Sequence, residues 1–202
     1  VHNGIIENYQ VLRKQLSERG HELRSDTDTE VIPHLIEEFL KEGADLKKAV
    51  IETVKVCDGA YGIVVCHSKT PDYMLVARKE SPLTIGITPG ETTYCGSDIP
   101  AFLPLTRNAL ILDDDEIAVL KPGEVEVYNV FTEEKVEREI TEIQWNIDAA
   151  KKGDFKWFMH KELYEVPSKV KLQVGMPQEN IDAFAKTIME AEHVFITAAG
   201  TA

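Results

Sequence analysis

Apolar residues recur at helical spacing through the first part of the chain. From Asn8 to Arg19, Tyr9, Leu12 and Leu16 share one face and charged groups fill the other, which predicts an amphipathic helix with Asn8 as its cap and Gly20 as its stop. The stretch "SDTDTEVIPHLIEEFLKEG" predicts a second helix, with Ile32, Leu35, Ile36, Phe39 and Leu40 facing inward and Gly43 ending it. Pro33 fits if that helix begins near Thr29, because a proline in the first turn forfeits no hydrogen bond. "ADLKKAVIETVKV" predicts a third, buried through Leu46, Ala49, Val50, Thr53 and Val54.

The period then shortens. From Gly59 to about Glu142, short β-branched and apolar runs alternate with turn residues: "YGIVVCHS", "YMLVARK", "LTIGIT", "TTYCGS", "ALILDDDEIAVL" and "EVEVYNVF". "SDIPAFLPL" interrupts them as a short helical or irregular piece. Helices followed by a run of mostly antiparallel strands argue for a layered α+β fold and against a βαβ repeat. Beyond Ile143, "DFKWFMHKELYEVPSKVKLQV" has helical spacing around Pro167, and "PQENIDAFAKTIMEAE" predicts a helix with Pro177 near its start. "HVFITAAGTA" reads as a buried strand running into a small-residue loop. There is no internal repeat and no low-complexity stretch.

Composition narrows the function classes. A hydrophobic content of 43% is enough for a real core, and a formal charge of −13 without a local basic patch argues against nucleic acid and anionic membranes as partners. No apolar run approaches the roughly 20 residues that cross a bilayer. Cys57, Cys66 and Cys95 lack metal-type spacing and are expected as buried free thiols in a reducing cytoplasm. The start at "VHNG" is expected to be an interior point of a longer protein.

Three stretches offer chemistry. The Asn3 amide beside the Gly4 N–H can supply two converging donors to an oxyanion, although Asn-Gly on its own reads first as a hairpin turn. Asp28, at the start of the second helix, can cap free N–H groups or hold a ligand ammonium. "AAGTA", ending in Thr201 and Ala202, can cradle an anion or simply turn the chain. "DDDEI" from Asp113 lacks the ligand pattern of a calcium loop and reads as a solvated turn. The histidines are scattered; His67 and His160 have no partner at metal-ligand spacing, so no metal and no cofactor are expected.

In this order, "HNGIIENY", "SDTDTEV", "DGAYGIVV", "SPLTIGI", "GSDIPAFL" and "FMHKELYEVP" resemble the glutamine-hydrolysing half of the glutamine–fructose-6-phosphate aminotransferase family. The resemblance implies an incomplete four-layer αββα sandwich of the N-terminal-nucleophile type over 1–145. An interdomain linker with helices would follow over 146–191, and 192–202 would begin a sugar-isomerase domain. It implies that glutamine and fructose 6-phosphate are the substrates, that an N-terminal cysteine absent here is the nucleophile, and that the isomerase half forms a homodimer. It gives Asn3 and Gly4 the oxyanion, Asp28 the glutamine ammonium, and Thr201 the sugar phosphate; the serine frequent after that threonine is Ala202 here. The 202 residues alone are then expected to be inactive. Other class II amidotransferases such as amidophosphoribosyltransferase, a nucleophile-free binding module, and a structural scaffold are the competing readings.

Overall fold

The computed structural model describes residues 1–144 and 155–195. The chain divides into two compact units, Val1–Ile147 and Asp148–Ala202.

In the first unit, β1 (His2–Ile6) leads into α1 (Tyr9–Glu18), and a 3-10 turn at Asp28–Glu30 leads into α2 (Val31–Lys41) and α3 (Leu46–Val56). Pro33 falls in the first turn of α2, as its missing N–H requires. Asp45 caps α3 through the Lys48 N–H at 2.8 Å. Asn8 stands at the head of α1 but does not cap it. Its amide instead donates to Val56 O at 2.8 Å and accepts the Asp58 N–H at 3.1 Å, which fastens α1 to the end of α3.

The strands β2 (Gly59–His67), β3 (Thr70–Lys79), β4 (Thr84–Thr88), β5 (Thr92–Gly96), β6 (Asn108–Ile111), β7 (Glu116–Lys121), β8 (Glu124–Asn129), β9 (Lys135–Val136) and β10 (Thr141–Glu142) follow. They form an antiparallel six-stranded sheet, β1-β2-β3-β7-β8-β9, and an antiparallel four-stranded sheet, β10-β6-β4-β5. Period-two alternation sorts the larger sheet's side chains to two cores. Ile63, Leu75, Ala77, Ile117 and Val119 pack with the buried faces of α1, α2 and α3. Val76, Ala118, Leu120 and Val127 pack with Ile85 and Leu110 of the second sheet and with Leu83 and Leu112 that flank its strands β4 and β6. The result is three layers, α/β/β, with the six-stranded sheet in the middle.

On the second sheet, a 3-10 turn at Ile99–Ala101 delivers Phe102, 2% exposed, onto β4. Its ring lies so close over Gly86 that a Cβ there would sit 2.5 Å from it. The Asp113–Asp115 stretch is a turn, as expected, but an anchored one. Asp114 Oδ1 accepts the Glu80 N–H at 2.8 Å, and Arg138 pairs with both Asp113 and the buried Glu116.

The three cysteines are free, and they differ from the uniform burial expected of them. Cys57 is closed in the core, Cys95 is half-buried and Cys66 is exposed. Cys66 lies where the β2–β3 register shifts between Val65 and His67, so it escapes the alternation that buries its neighbours.

In the second unit, α4 (Phe158–Val174) continues through Pro167, and α5 (Gln178–Glu190) starts directly after Pro177. Among the described residues no helix is long and apolar enough to cross a membrane.

The contact between Phe102 and Gly86 yields a coupled prediction. Phe102→Ala should cost about 3–5 kcal/mol in urea unfolding. Gly86→Ala should also destabilise, whereas the double variant should lose less than the two single losses combined, because the ring that the new methyl meets is gone.

Candidate functional site

Asn3 and Gly4 lie within β1, paired with Gly62 and Tyr61 of β2, so the hairpin-turn alternative is excluded. The strand is shaped by close backbone approach. Gly4 has φ +120°, and a Cβ on it would fall 2.1 Å from Ala60 O and 2.9 Å from Ser81 Oγ. Gly59, opposite Ile6, has φ +112° and would place a Cβ 2.2 Å from Ile5 O. Side-chain-bearing residues rarely adopt such angles, and here there is no room for one.

The pairing also fixes which way the backbone donors point. Val1 and Val64 exchange both of their N–H···O bonds, each close to 2.8–2.9 Å, and Glu7 N–H bonds Asp58 O at 2.8 Å. In an antiparallel ladder such pairs recur every second residue. Val1, Asn3, Ile5 and Glu7 therefore turn their N–H groups to β2, and His2, Gly4 and Ile6 turn theirs to the outer edge. Among the described residues β1 is the terminal strand of its sheet. The Gly4 N–H thus faces outward beside the exposed Asn3 side chain.

Asp28 reaches the same edge. Its Oδ2 accepts the Ile6 N–H at 2.8 Å, and its Oδ1 lies 3.3 Å from the Thr27 hydroxyl. The capping task considered for Asp28 is performed by Thr27, whose Oγ1 accepts the Thr29 N–H at 3.2 Å. Asp28 is therefore a link between the 3-10 turn and β1, with carboxylate lone pairs left for a further donor. Asn3 and Ile6 are three residues apart on an extended strand, about 10 Å.

Two neighbours were not singled out from sequence. His2 places Nδ1 2.9 Å from Thr29 Oγ1, while its Nε2 is buried without a hydrogen-bond partner. Burial lowers its pKa from the usual histidine range, with Asp28 opposing. Glu30 accepts the N–H groups of Arg24 and Ser25 at 2.7 and 2.8 Å and the Ser25 hydroxyl at 2.7 Å. Those bonds hold its carboxyl down to about 2 and lock the approach to the turn that carries Asp28. An acidic residue two positions after Asp28 was visible in sequence, but its partners lie upstream in a link without periodicity. Thr201 lies outside the described residues.

Comparison with known proteins identifies the family of the fold. Residues 1–104 match the model of the glutamine amidotransferase domain. The glutamine–fructose-6-phosphate aminotransferase (isomerizing) of Pyrococcus horikoshii is 41% identical over 201 residues, covering 100% of this chain and 33% of that protein. The protein of the same name from Methanocaldococcus jannaschii is 41% identical over 209 residues, 100% of this chain and 19% of its own length. The chain thus spans a third or less of the length of these curated relatives. Among solved structures, the Bacillus subtilis glutamine phosphoribosylpyrophosphate amidotransferase, complexed with ADP and GMP, aligns with a TM-score of 0.55 at 25% identity, covering 64% of this chain and 28% of its own. The described layers are accordingly an incomplete N-terminal-nucleophile amidotransferase sandwich.

Two outcomes test the site's construction. Gly4→Ala should destabilise by at least about 2 kcal/mol in chemical denaturation, from strain and the clash with Ala60 O. Glu30→Gln should lower the melting temperature at pH 7 and expose the Arg24 and Ser25 amides to faster hydrogen exchange. Because the folded-state pKa of Glu30 is depressed, its contribution is present above about 4.5 and is lost as pH falls towards 2, so wild type and variant should converge over that window.

Proposed function

Since the chain belongs to the glutamine amidotransferase family, we propose that it is the glutamine-handling part of an enzyme that makes glucosamine 6-phosphate and glutamate from fructose 6-phosphate and glutamine. The observation that carries this reading is the outer edge of β1, where the Gly4 N–H and the exposed Asn3 side chain share a strand with the Ile6 N–H held by the Asp28 carboxylate. The relatives favour fructose 6-phosphate over phosphoribosyl pyrophosphate as acceptor substrate: their 41% identity runs over the whole chain, whereas the structural likeness covers 64% of it at 25% identity.

In the proposed reaction a cysteine thiolate attacks the side-chain amide carbon of glutamine. As the carbonyl π bond opens, negative charge collects on oxygen, and the Asn3 Nδ2–H and Gly4 N–H bonds strengthen with it. The adduct collapses with cleavage of the C–N bond, and the nitrogen leaves as ammonia with the proton the base took from the thiol. Water then hydrolyses the thioester to glutamate and free thiol. Asp28 pairs with the substrate's α-ammonium. The nucleophile is assigned to an N-terminal cysteine of the complete enzyme, whose own α-amino group would act as base. None of the present thiols has that amine, and burial pushes the Cys57 thiol up to about 12, far from nucleophilic at neutral pH.

The rest of the assignment follows the same family. Residues 1–145 supply glutamine handling, 146–191 connect, and 192–202 open a sugar-isomerase domain where Thr201 contacts the sugar phosphate. That domain would form a homodimer, and the enzyme would be cytoplasmic. Ammonia must reach the sugar without escaping to water, where it would protonate, so the two halves would share a closed path.

The test uses the native enzyme purified from its source, supplied with glutamine and fructose 6-phosphate. Glucosamine 6-phosphate and glutamate should form in equal amounts; failure to form the aminosugar overturns the reading. Asn3→Ala should lower kcat for glutamine hydrolysis by about 10²–10³-fold with little change in KM. Asp28→Asn keeps an oxygen for the Ile6 N–H but loses the charge, and should raise KM for glutamine by about tenfold or more. The 202 residues alone should release no ammonia from glutamine.

A further inference from the structure

The histidines are not all scattered. His21, in the link after α1, and His34, on α2, meet with ring planes at 83° and with their Nδ1 atoms 2.8 Å apart. Glu37, one turn beyond His34, sets Oε2 at 3.6 Å from His21 Nδ1 and 4.0 Å from His34 Nδ1. The three side chains offer ligand atoms that all lie within 4.8 Å of one another.

Their outer contacts orient them for donation inward. His21 Nε2 lies 2.7 Å from Glu38 Oε1, and His34 Nε2 lies 3.8 Å from Glu30 Oε1. An ionised carboxylate can only accept, so the Nε2 of His21 carries the proton, and its Nδ1 in the neutral ring is a bare lone pair. The Glu38 carboxylate behind His21 is the arrangement that fixes tautomer and ring direction at metal-ligating histidines, while Glu30 stands behind His34 beyond hydrogen-bond distance. The His21 hydrogen bond is also the main cause holding Glu38 below the ordinary carboxylate range. Lys41 Nζ occupies the other oxygen of Glu37 at 3.1 Å, which leaves Oε2 directed at the two rings. Without a metal, a proton on His34 Nδ1 donated to the bare His21 Nδ1 accounts for the 2.8 Å contact; a metal ion taking that proton's place would meet both nitrogens and the Glu37 oxygen.

We propose that His21 Nδ1, His34 Nδ1 and Glu37 Oε2 form a binding site for a divalent transition metal of the zinc, cobalt or nickel class, with water completing the coordination. Two imidazoles and one carboxylate suit these ions, whereas magnesium and calcium prefer oxygen alone. Metal–nitrogen bonds of about 2.0–2.1 Å at a tetrahedral angle need the two nitrogens about 3.3 Å apart, so the rings must separate by roughly half an ångström. Glu37, with 54% of its side chain exposed, is free to close the remaining gap. The ion would join the end of the α1 link to α2, closing the loop 21–34 that carries Asp28. This site stands independently of the function proposed above.

The test is titration of the metal-free 202-residue chain with Co²⁺, read by visible absorption, and with Zn²⁺, read by calorimetry and thermal melting. One equivalent of Co²⁺ should bind with weak visible bands and without the near-ultraviolet band of a thiolate ligand, and Zn²⁺ should raise the melting temperature. His34→Gln and the more exposed Glu37→Gln should each weaken binding at least tenfold while circular dichroism stays unchanged. Absence of saturable binding up to millimolar metal would mean that the histidines share a proton only, and would overturn the site. Undiminished binding in both variants, or a thiolate band pointing to the exposed Cys66, would overturn it equally.

Discussion

The six-stranded sheet must be covered on both faces, and the layout of the first unit follows from that constraint. Its central strands carry apolar residues at consecutive positions, so neither face tolerates water. On β7, Ile117 and Val119 face the helices while Ala118 and Leu120 face the second sheet. Three helices screen one side and a four-stranded sheet screens the other. Burial on both sides keeps hydrogen-bonded ladders dry and stiff in the middle of the sheet. Chemistry that needs an unsatisfied donor is pushed to the margin, where β1 lies.

At that margin a few interactions convert an ordinary strand edge into a shaped surface. Gly4 and Gly59 let β1 and β2 approach closely, the Ser81 side chain closes in from the next segment, and Asp28 ties the start of the helical layer to β1. Glu30 fixes the link that delivers Asp28. The electrostatics agree with the geometry: this link carries a carboxylate held ionised by three donors, so the turn stays locked at any pH where the enzyme would work.

Much of this was legible in sequence, for physical reasons that also explain the misses. The helices and most strands announce themselves through apolar period, and Pro33 placed the start of α2 because a proline can enter a helix only there. Asn3, Gly4 and Asp28 were singled out by resemblance, while the residues alone favoured a turn at Asn3-Gly4 and a cap at Asp28. β1 was hidden because Asn-Gly favours hairpins in isolation and only pairing with β2 overrides that preference. In "SDTDTE" several residues can cap, and only the fold chooses Thr27, leaving Asp28 for β1. The exposure of Cys66 depends on a register slip that no alternation pattern encodes. His21 and His34 are thirteen residues apart with a turn between them, so only the return of α2 past the link brings them together.

The outer edge of β1 carries a liability as well as a use. Unpaired backbone donors and acceptors are a template for any extended segment, and natural sheets blunt such rows with charge or cover. Among the described residues Asp28 covers the Ile6 N–H, while Ile5 beside the Gly4 N–H is 65% exposed. Whatever N–H is kept vacant for a ligand is equally vacant for a neighbouring chain. Receptivity to a small molecule and susceptibility to intermolecular strand addition are therefore the same property of β1, separated in practice by concentration and by which visitor arrives first.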